Sequence, residues 1–341
     1  MKLAIIGGGS WGTALATVLA PRVESVALWM YEADLAARMA SSRENDVFLP
    51  GFRLADNVQV VSANPGGAIE GADIVLGVMP SHHARGIYTA MLPHLTPSMI
   101  LVSATKGLEQ GSLLRMSQVI EHVVKARFEP RIAVLSGPTF AREVAAGNPT
   151  AVVVASASPE VARCVQEAFS GPSFRLYTNS DPAGVEVGAA LKNVIAIGAG
   201  ICEGLGLGHN PTAALITRGL AEITRLAVAL GGEPATLAGL AGLGDLVLTS
   251  TGTLSRNRAL GMALARGESR EHAQHATRMV AEGVPTVRSA LALAARHGVT
   301  LPIAAEVAAV LFESKPPADA LASLLGRAAT REDAGVGDRH A

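Results

Sequence analysis

The chain has 341 residues, of which 49% are hydrophobic and 17% are charged, and its formal net charge at pH 7 is −1. This composition is too apolar for a disordered chain, and the length favours two domains over one core. Because the net charge is close to zero and the basic residues are scattered, we expect neither a nucleic-acid partner nor a membrane surface. An anionic ligand would have to bind at a local site.

The start of the chain and its cysteines predict the compartment. Met1 leads directly into an apolar run, without the basic segment, apolar segment and cleavage site of a signal peptide. No apolar run reaches the ~18 residues of a membrane span without a charge or a glycine. Cys164 and Cys202 lie in apolar helical contexts and are expected to be buried thiols. We therefore expect a cytoplasmic protein without a membrane span, and the histidine spacing indicates no metal site.

The first predicted elements are a strand, a tight turn and a helix. Residues 3–6 are apolar, and residues 13–20 carry Ala and Leu at helical spacing. Between them, Gly7, Gly9 and Gly12 match G-x-G-x-x-G, in which the glycines permit the turn, the approach of a pyrophosphate and the packing of the helix. The helix N-terminus would present its N–H groups to the phosphates. The position of the motif after a strand and before a helix favours a dinucleotide site.

The rest of the first half alternates β-rich runs with amphipathic helical segments. The further strand candidates are residues 26–29, 58–61, 74–78, 100–103, 132–135, 151–154 and 174–177. The helical segments between them include residues 34–41, 113–125 and 159–169. This alternation predicts an α/β fold with a Rossmann-type, doubly wound and mostly parallel sheet.

The β signal ends near Asp181-Pro182, and the second half is predicted to be all helical. Residues 185–201 form one long apolar segment, and residues 211–230 form another with Asn210 as N-cap. Further helices are predicted at 234–241, 255–266, 270–278, 285–297, 303–312 and 317–329. We therefore expect an NAD(P)-binding domain at 1–182, a helical substrate and catalytic domain at 183–329, and a flexible tail at 330–341. A nucleotide at the carboxyl ends of the strands would meet the substrate in a cleft between the domains.

Four stretches contain more polar residues or glycines than their apolar surroundings require. SATKGLE (103–109) and SGPTFARE (136–143) each follow a predicted strand, and the first places Lys106 at the expected ligand edge. LKNVIAIGAG (191–200) places Lys192 in an apolar helix, and GLGDLVLTSTGTLSRNR (242–258) carries Asp245 and ends where a helix begins. These stretches are the candidates for catalysis and substrate binding.

Each candidate also has a structural interpretation. Lys106 fits a solvated loop lysine as well as a ligand, and a helical lysine such as Lys192 normally extends to water. The apolar neighbours of Lys192 instead favour burial, which is costly for an ammonium unless it is paired or its pKa falls. Asp245 could be a helix cap. The run Ser255-Arg256-Asn257 could be a capped first turn or a phosphate site.

Taken together, the motifs resemble a known family. GGGSWGTALA, VMPSH, SATKGLE, SGPTFARE, LKNVIAIGAG, TRGLAEITRL, GLGDL and SRNRALG are similar, in order and spacing, to segments of the bacterial NAD(P)-dependent sn-glycerol-3-phosphate dehydrogenases. The resemblance extends from Met1 to about Arg327. It implies a Rossmann domain followed by a helical domain, a homodimer, and the interconversion of dihydroxyacetone phosphate and sn-glycerol 3-phosphate for phospholipid synthesis.

The resemblance also implies site residues. Together with the glycine motif, it assigns to NAD or NADP the residues Gly7, Gly9, Ser10, Trp11, Gly12, Tyr31, Glu32, Lys106, Ala141, Arg256, Val280 and Glu282. It assigns to the phosphorylated substrate Lys106, Gly137, Thr139, Lys192, Asp245, Ser255, Arg256 and Asn257. The proton acceptor of the family aligns with Lys192, and no metal is implied.

The sequence departs from the family pattern at two places. Gly8 replaces the usual alanine, a change expected only to loosen the turn. Tyr31-Glu32 replaces a His or Arg followed by an acid. Glu32 lies 20 residues after Gly12, where a carboxylate accepts from the ribose 2′-hydroxyl and would repel a 2′-phosphate, which favours NAD. Because family members with an acid here also use NADP, the choice of cofactor stays open.

These assignments lead to a mechanistic hypothesis. Hydride from the reduced nicotinamide would reach the ketone carbon while Lys192 protonates the oxygen and Lys106 stabilises its negative charge. Asp245 would keep Lys192 oriented, and Arg256 with its neighbours would bind the phosphate. Two alternatives are a related dehydrogenase acting on a β-hydroxyacid or a phosphorylated sugar acid, and a dinucleotide-binding regulator without turnover. An assay with dihydroxyacetone phosphate separates all three.

Overall fold

A computed structural model describes residues 1–271, 281–329 and 331–332 of the chain. The chain divides into two compact units. The first unit comprises Met1–Glu109 with Leu114–Pro182, and the second comprises Gln110–Leu113 with Ala183–Ala341.

An eight-stranded sheet forms the centre of the first unit. Its strands are β1 (Lys2–Ile6), β2 (Ser25–Trp29), β5 (Val58–Val61), β6 (Ile74–Gly77), β7 (Ile100–Ser103), β8 (Arg131–Ser136), β9 (Thr150–Ala155) and β10 (Phe174–Asn179). Across the sheet they lie in the order β10-β9-β8-β7-β6-β1-β2-β5. Neighbouring strands pair in parallel, except that β8 and β9 are antiparallel. The predicted mostly parallel, doubly wound sheet is confirmed. Its strands are apolar because both faces of such a sheet are covered.

Helices pack on both faces of the sheet. They are α1 (Ser10–Leu19), α2 (Ala33–Ser42), α3 (Pro65–Ala68), α4 (Ala84–Met91), α5 (Met116–Val124), α6 (Ala141–Ala145) and α7 (Pro159–Phe169). One apolar cluster includes Leu15 and Phe169 from α1 and α7, and the other includes Tyr88 and Ile120 from α4 and α5. The helix predicted from residue 113 begins only at Met116, because Leu113 has a φ of 64°.

A short hairpin that the sequence analysis did not predict follows α2. It consists of the antiparallel strands β3 (Glu44–Asn45) and β4 (Leu49–Arg53). Leu49 is buried in the core, and Phe48 and Phe52 pack against that core from partly exposed positions. The hairpin is therefore a packed part of the first unit.

The described part of the second unit is helical. Its helices are α8 (Pro182–Gly204), α9 (His209–Ala229), α10 (Pro234–Leu237), α11 (Asp245–Thr251), α12 (Arg256–Ala265), α13 (Gly283–Arg296), α14 (Pro302–Phe312) and α15 (Pro317–Leu325). The helix predicted at 270–278 falls almost wholly on residues outside the described ones, as does the tail apart from residues 331 and 332.

The longest helix, α8, is the buried centre of the second unit. By length and hydropathy it could cross a bilayer, but its most apolar 18-residue window is entirely buried inside the protein, as in the core helix of a globular domain. The helix pair formed by Pro234–Thr251 and Arg256–Ala265, bent by 46°, passes the same test only if it is taken as one broken span.

Two sequence predictions are wrong in detail. Helix α9 begins at His209 with Gly208 as N-cap, not at Pro211 with Asn210 as N-cap. Gly208 has a φ of 78°, which lets the chain enter the helix two residues earlier, and proline is tolerated in a first turn that needs no N–H donor. Of the two cysteines, Cys202 is buried as expected, but Cys164 is exposed on α7.

Candidate active site

The glycine turn connects β1 to α1, and its three motif glycines have different roles. Gly7 has a φ of 123°, and a Cβ there would lie 2.7 Å from the carbonyl oxygen of Val78. A Cβ on Gly12 would lie 1.8 Å from the carbonyl oxygen of Gly7. A Cβ on Gly9, the N-cap of α1, would meet no atom within 4 Å. Gly7 and Gly12 therefore permit the turn itself, while Gly9 leaves open space beside the N-terminus of the helix.

The structure corrects the expectation for Gly8. A Cβ at this position would lie 2.4 Å from Cγ of Met30, a buried side chain that directly follows β2. The Met30 side chain therefore occupies the space that an alanine methyl group would need. Glycine at position 8 lets Met30 pack closely against the turn instead of loosening it.

The residues around the turn fit a bound dinucleotide. The indole Nε1 of Trp11 is buried and has no hydrogen-bond partner among the described residues. Because buried donors are normally hydrogen-bonded, this N–H group fits a donor to a bound ligand. Tyr31 is 81% exposed, and Glu32, also exposed, makes no side-chain cap to α2. Both therefore lie at the surface directly after β2.

Lys106 lies in the segment that follows β7. Its Nζ donates to the Gly137 carbonyl oxygen at 3.3 Å and to Thr139 Oγ1 at 3.4 Å. Gly137 has a φ of 152°, and a Cβ there would lie 2.9 Å from Cα of Val152. Three residues assigned to the substrate therefore meet at the carboxyl ends of β7 and β8. Ala141 begins α6 nearby in the chain and packs, half-buried, against the core.

The Lys106 segment is held by contacts that sequence reasoning missed. Arg85 on α4 donates from Nε and Nη2 to the two carboxylate oxygens of Glu109, at 2.8 and 2.7 Å. Thr105 Oγ1 donates to the Met79 carbonyl oxygen at 2.9 Å. A bidentate charged pair of this kind fixes geometry as well as adding energy.

Lys192 is buried in the second unit. Its side chain is only 5% exposed, and Nζ donates to Oδ1 of the fully buried Asp245 and, at 2.9 Å, to Thr249 Oγ1. Asp245 and Thr249 are four residues apart on α11 and therefore lie on one face of that helix. The interpretation of Lys192 as a solvent-exposed helical lysine is wrong, and Asp245 acts as its counter-ion rather than as a helix cap.

A glycine-rich turn brings Asp245 to Lys192. Residues Leu240–Gly244 form a wide helical turn before α11. A Cβ on Gly188 of α8 would lie 2.9 Å from the Ala241 carbonyl oxygen, and a Cβ on Gly242 would lie 2.1 Å from that of Leu237. These close backbone contacts explain the glycines and fix the start of α11 against α8.

The candidate phosphate residues lie at the N-terminus of α12. Ser255 is the N-cap, and its Oγ accepts from the Arg258 N–H at 3.3 Å. Arg256 is exposed by its surface area, but the protein around its guanidinium still lowers its pKa by desolvation, and the nearby carboxylate of Glu282 partly opposes this shift. Burial raises the pKa of Glu282 to about 7. Glu282 Oε2 is buried without a hydrogen-bond partner among the described residues, so this pair also fits a ligand. Val280, the remaining cofactor candidate, lies outside the described residues.

The side chain of Asn257 is fixed by hydrogen bonds to other residues of the second unit. Its Nδ2 donates to Asn193 Oδ1 at 3.0 Å, and its Oδ1 accepts from the Gly283 N–H at 3.0 Å. Asn193 follows Lys192 directly on α8, so Asn257 is hydrogen-bonded to the residue next to the buried lysine. Sequence reasoning missed the roles of Asn193 and Thr249. The four-residue spacing of Asp245 and Thr249 could have indicated the latter, but only if a helix had been predicted there.

Comparisons with known proteins match both halves of the chain. The model of the NAD-dependent glycerol-3-phosphate dehydrogenase N-terminus matches residues 2–162, and that of the C-terminus matches residues 181–322. The chain is 54% identical to a Koribacter versatilis protein named glycerol-3-phosphate dehydrogenase [NAD(P)+], over 97% of this chain and 98% of that protein. It is 51% identical to the protein of the same name from Geobacter sulfurreducens, over 96% and 97% of the two chains.

The solved structures give the same result. The crystal structure of glycerol-3-phosphate dehydrogenase from Coxiella burnetii matches with a TM-score of 0.91 and 40% identity, over 96% of this chain and 99% of that one. Among the described residues, no group of three or more His, Cys, Asp or Glu side chains could hold a metal ion. With both family models matched and near-complete relatives above 50% identity, the chain belongs to the NAD-dependent glycerol-3-phosphate dehydrogenase family.

Proposed function

We propose that the chain reduces dihydroxyacetone phosphate to sn-glycerol 3-phosphate and that Lys192 is the proton donor. Membership of the family makes the chain an NAD(P)-dependent oxidoreductase acting on a small phosphorylated substrate. The observation that carries the assignment of Lys192 is the burial of its side chain against Asp245 and Thr249. A buried charge is costly, and such groups are concentrated at functional sites.

The dinucleotide would bind at the glycine turn. The open space at Gly9 would admit the pyrophosphate, and the first-turn N–H groups of α1 would donate to it. Trp11 Nε1 would donate to the same ligand, while Tyr31 and Glu32 would contact the adenosine part. When bound, the reduced nicotinamide supplies the hydride. The family resemblance adds Lys106, Ala141, Arg256, Val280 and Glu282 to the proposed cofactor set.

Lys192 would donate a proton from Nζ to the substrate oxygen as negative charge develops there. The Asp245 carboxylate and the Thr249 hydroxyl both accept from Nζ, and so hold it in one position. After the transfer, the neutral amine would be reprotonated from solvent for the next turnover. In the reverse direction, the same amine accepts the proton of the alcohol.

The remaining residues would bind the substrate and stabilise charge. Lys106 would stabilise the negative charge on the carbonyl oxygen, beside Gly137 and Thr139. Arg256 and the α12 N-terminus, with Ser255 and Asn257, would bind the phosphate. Binding energy at the phosphate helps to hold the ketone in place for the reaction.

The experiment that tests this function is absorbance at 340 nm with dihydroxyacetone phosphate, with NADH and NADPH run in parallel. We expect oxidation of the cofactor with this substrate and none with a β-ketoacid. Oxidation only with the ketoacid would favour the related hydroxyacid dehydrogenase, and cofactor binding without oxidation would favour a regulator. Because Glu32 would repel a 2′-phosphate, we expect NADH to give the higher kcat/KM.

The setting of the reaction follows from the family resemblance. We propose a cytoplasmic homodimer that supplies sn-glycerol 3-phosphate for phospholipid synthesis. Size-exclusion chromatography with light scattering tests the dimer, for which a monomer mass would be the contrary result.

A further inference from the structure

The β3–β4 hairpin is connected to the glycine turn by one buried amide side chain. Asn45 has no solvent exposure. Its Nδ2 donates to the Gly8 carbonyl oxygen at 2.9 Å and to Thr13 Oγ1 at 2.8 Å, and its Oδ1 accepts from the Phe48 N–H at 2.9 Å. The hydrogen-bonding groups of the amide are thus matched to residues of the turn, of α1 and of the hairpin.

A second set of contacts joins the same elements. Ser10 Oγ, at the start of α1, donates to the Phe48 carbonyl oxygen at 2.6 Å. Thr13 Oγ1 donates to the Gly8 carbonyl oxygen at 3.2 Å, so this oxygen accepts from two side chains. Within the hairpin, Glu44 Oε1 accepts from the Gly51 N–H at 2.7 Å. The hairpin is therefore hydrogen-bonded to the turn and to α1, and the Glu44 side chain links its two strands.

The orientation of the Gly8 carbonyl group determines the direction of the next N–H. In a planar trans peptide the C=O and N–H bonds point in opposite directions. Because the Gly8 oxygen points to the buried groups of Asn45 and Thr13, the Gly9 N–H points away from them. Gly9 is also the glycine whose Cβ would meet no atom within 4 Å.

We propose that Asn45 is a positioning residue for the dinucleotide: it fixes the Gly8–Gly9 peptide so that the Gly9 N–H donates to the pyrophosphate. This inference rests on the proposed cofactor site at the glycine turn. Asn45 itself is buried and acts through the Gly8 carbonyl group. Its loss would free this peptide to rotate, and so weaken dinucleotide binding without changing the residues that act on the ketone.

The test compares NADH affinity in Asn45→Ala and in the wild type, measured by fluorescence titration without substrate. We expect the Kd for NADH to rise about tenfold, since a lost hydrogen bond to a buried group corresponds to a factor of this order. At saturating NADH, the KM for dihydroxyacetone phosphate should stay within about twofold of the wild-type value. Should Asn45→Ala fail to fold, Thr13→Val carries the test, because with little change in shape it removes both an acceptor of the Asn45 amide and the second side-chain donor to the Gly8 oxygen.

A matched control separates positioning from stability. Asn57 lies in the same unit, and its Nδ2 donates to the carbonyl oxygens of Ala20 and Val23 at 2.9 and 3.1 Å. Asn57→Ala therefore also removes an amide that binds main-chain oxygens, but at the opposite end of α1. We expect it to lower the melting temperature and leave the Kd for NADH within about twofold of the wild-type value.

The outcomes are distinct. A raised Kd in Asn45→Ala or Thr13→Val with an unchanged Kd in Asn57→Ala supports the proposal. An unchanged Kd in the Asn45 and Thr13 variants, or an equal rise in the Asn57 control, overturns it while leaving the proposed function in place. Absence of NADH binding by the wild-type protein would overturn the proposed function, and this inference with it.

Discussion

The glycine turn of the first unit leaves open space beside the N-terminus of α1. In the second unit, by contrast, the Lys192 side chain of α8 is buried against the Asp245 carboxylate and the Thr249 hydroxyl. The first arrangement uses neutral backbone groups that the helix would have in any case. The second places a charge inside an apolar helix bundle, where it is tolerated only while it is paired. Substitutions at the turn should therefore separate folding from cofactor binding, while substitutions around Lys192 should affect folding and catalysis.

The largest expected effect is on the buried ion pair. Asp245→Asn leaves the Lys192 ammonium buried without its counter-ion, so we expect the free energy of unfolding to fall by about 3 kcal/mol or more. Urea denaturation followed by circular dichroism measures this change.

A more exposed ion pair in the same unit provides the control. Arg258 Nε lies 2.7 Å from Glu203 Oε2, and the Glu203 side chain is 43% exposed. We expect Glu203→Gln to cost about 1 kcal/mol, because water screens the Glu203 carboxylate even though the Arg258 side chain is only 12% exposed. Equal losses in the two variants would contradict the claim that burial makes the Asp245 pair structurally important.

The next effect distinguishes two glycines of one turn. The Cβ introduced by Gly12→Ala would clash with the Gly7 carbonyl oxygen, so we expect a loss of about 1–3 kcal/mol of stability. Gly9→Ala places its methyl group in open space, so we expect it to lose only the about 0.5–1 kcal/mol by which alanine is a poorer N-cap than glycine. The Gly9 variant should instead lose NADH affinity.

Thermal unfolding and NADH titration on both glycine variants check this division. If Gly9→Ala bound NADH as tightly as the wild-type protein, the open space at Gly9 would not be the pyrophosphate site.

The smallest effect concerns a buried carboxylate away from Lys192. Glu222 on α9 accepts from the Ile303 and Ala304 N–H groups of α14 at 2.6 and 3.3 Å. Burial raises its pKa to about 7, although these N–H donors and nearby arginines lower it in part. Between about pH 4.5 and 7 the Glu222 carboxyl is therefore protonated in the folded protein but ionised in the unfolded chain. The free energy of unfolding consequently falls as the pH rises through this window.

The measurement for Glu222 compares the wild-type protein with Glu222→Gln, which does not titrate. Between pH 6 and pH 7 we expect the wild type to lose about 1 kcal/mol of unfolding free energy relative to the variant. Parallel stability profiles would show that the pKa of this carboxyl is not raised.

The apolar runs of the sequence were sufficient to predict the eight strands of the main sheet, since a parallel sheet covered on both faces needs continuous hydrophobic strands. The hairpin was missed because β3 has only two residues, both polar, and β4 contains Pro50 and Gly51, which usually indicate a turn. The contact between Asn45 and the glycine turn cannot be predicted from local sequence pattern, because it depends on tertiary packing.

The candidate site shows the same limit. Burial of Lys192 follows from its apolar neighbours on α8, but its partner Thr249 lies in a stretch whose glycines suggested a loop. The wide turn Leu240–Gly244 uses those glycines to place α11 against α8, which local propensity does not reveal. Likewise, the role of Gly8 depends on Met30, a residue 22 positions later in the chain.

The most direct test of the central claim, that the buried Lys192 donates the proton while Arg256 binds the phosphate, is steady-state kinetics of Lys192→Ala beside Arg256→Ala with dihydroxyacetone phosphate at saturating NADH. We predict that Lys192→Ala lowers kcat by about 10²–10⁴-fold with little change in KM, and that Arg256→Ala chiefly raises KM. The reverse pattern, a raised KM for Lys192→Ala and a collapsed kcat for Arg256→Ala, would contradict the account.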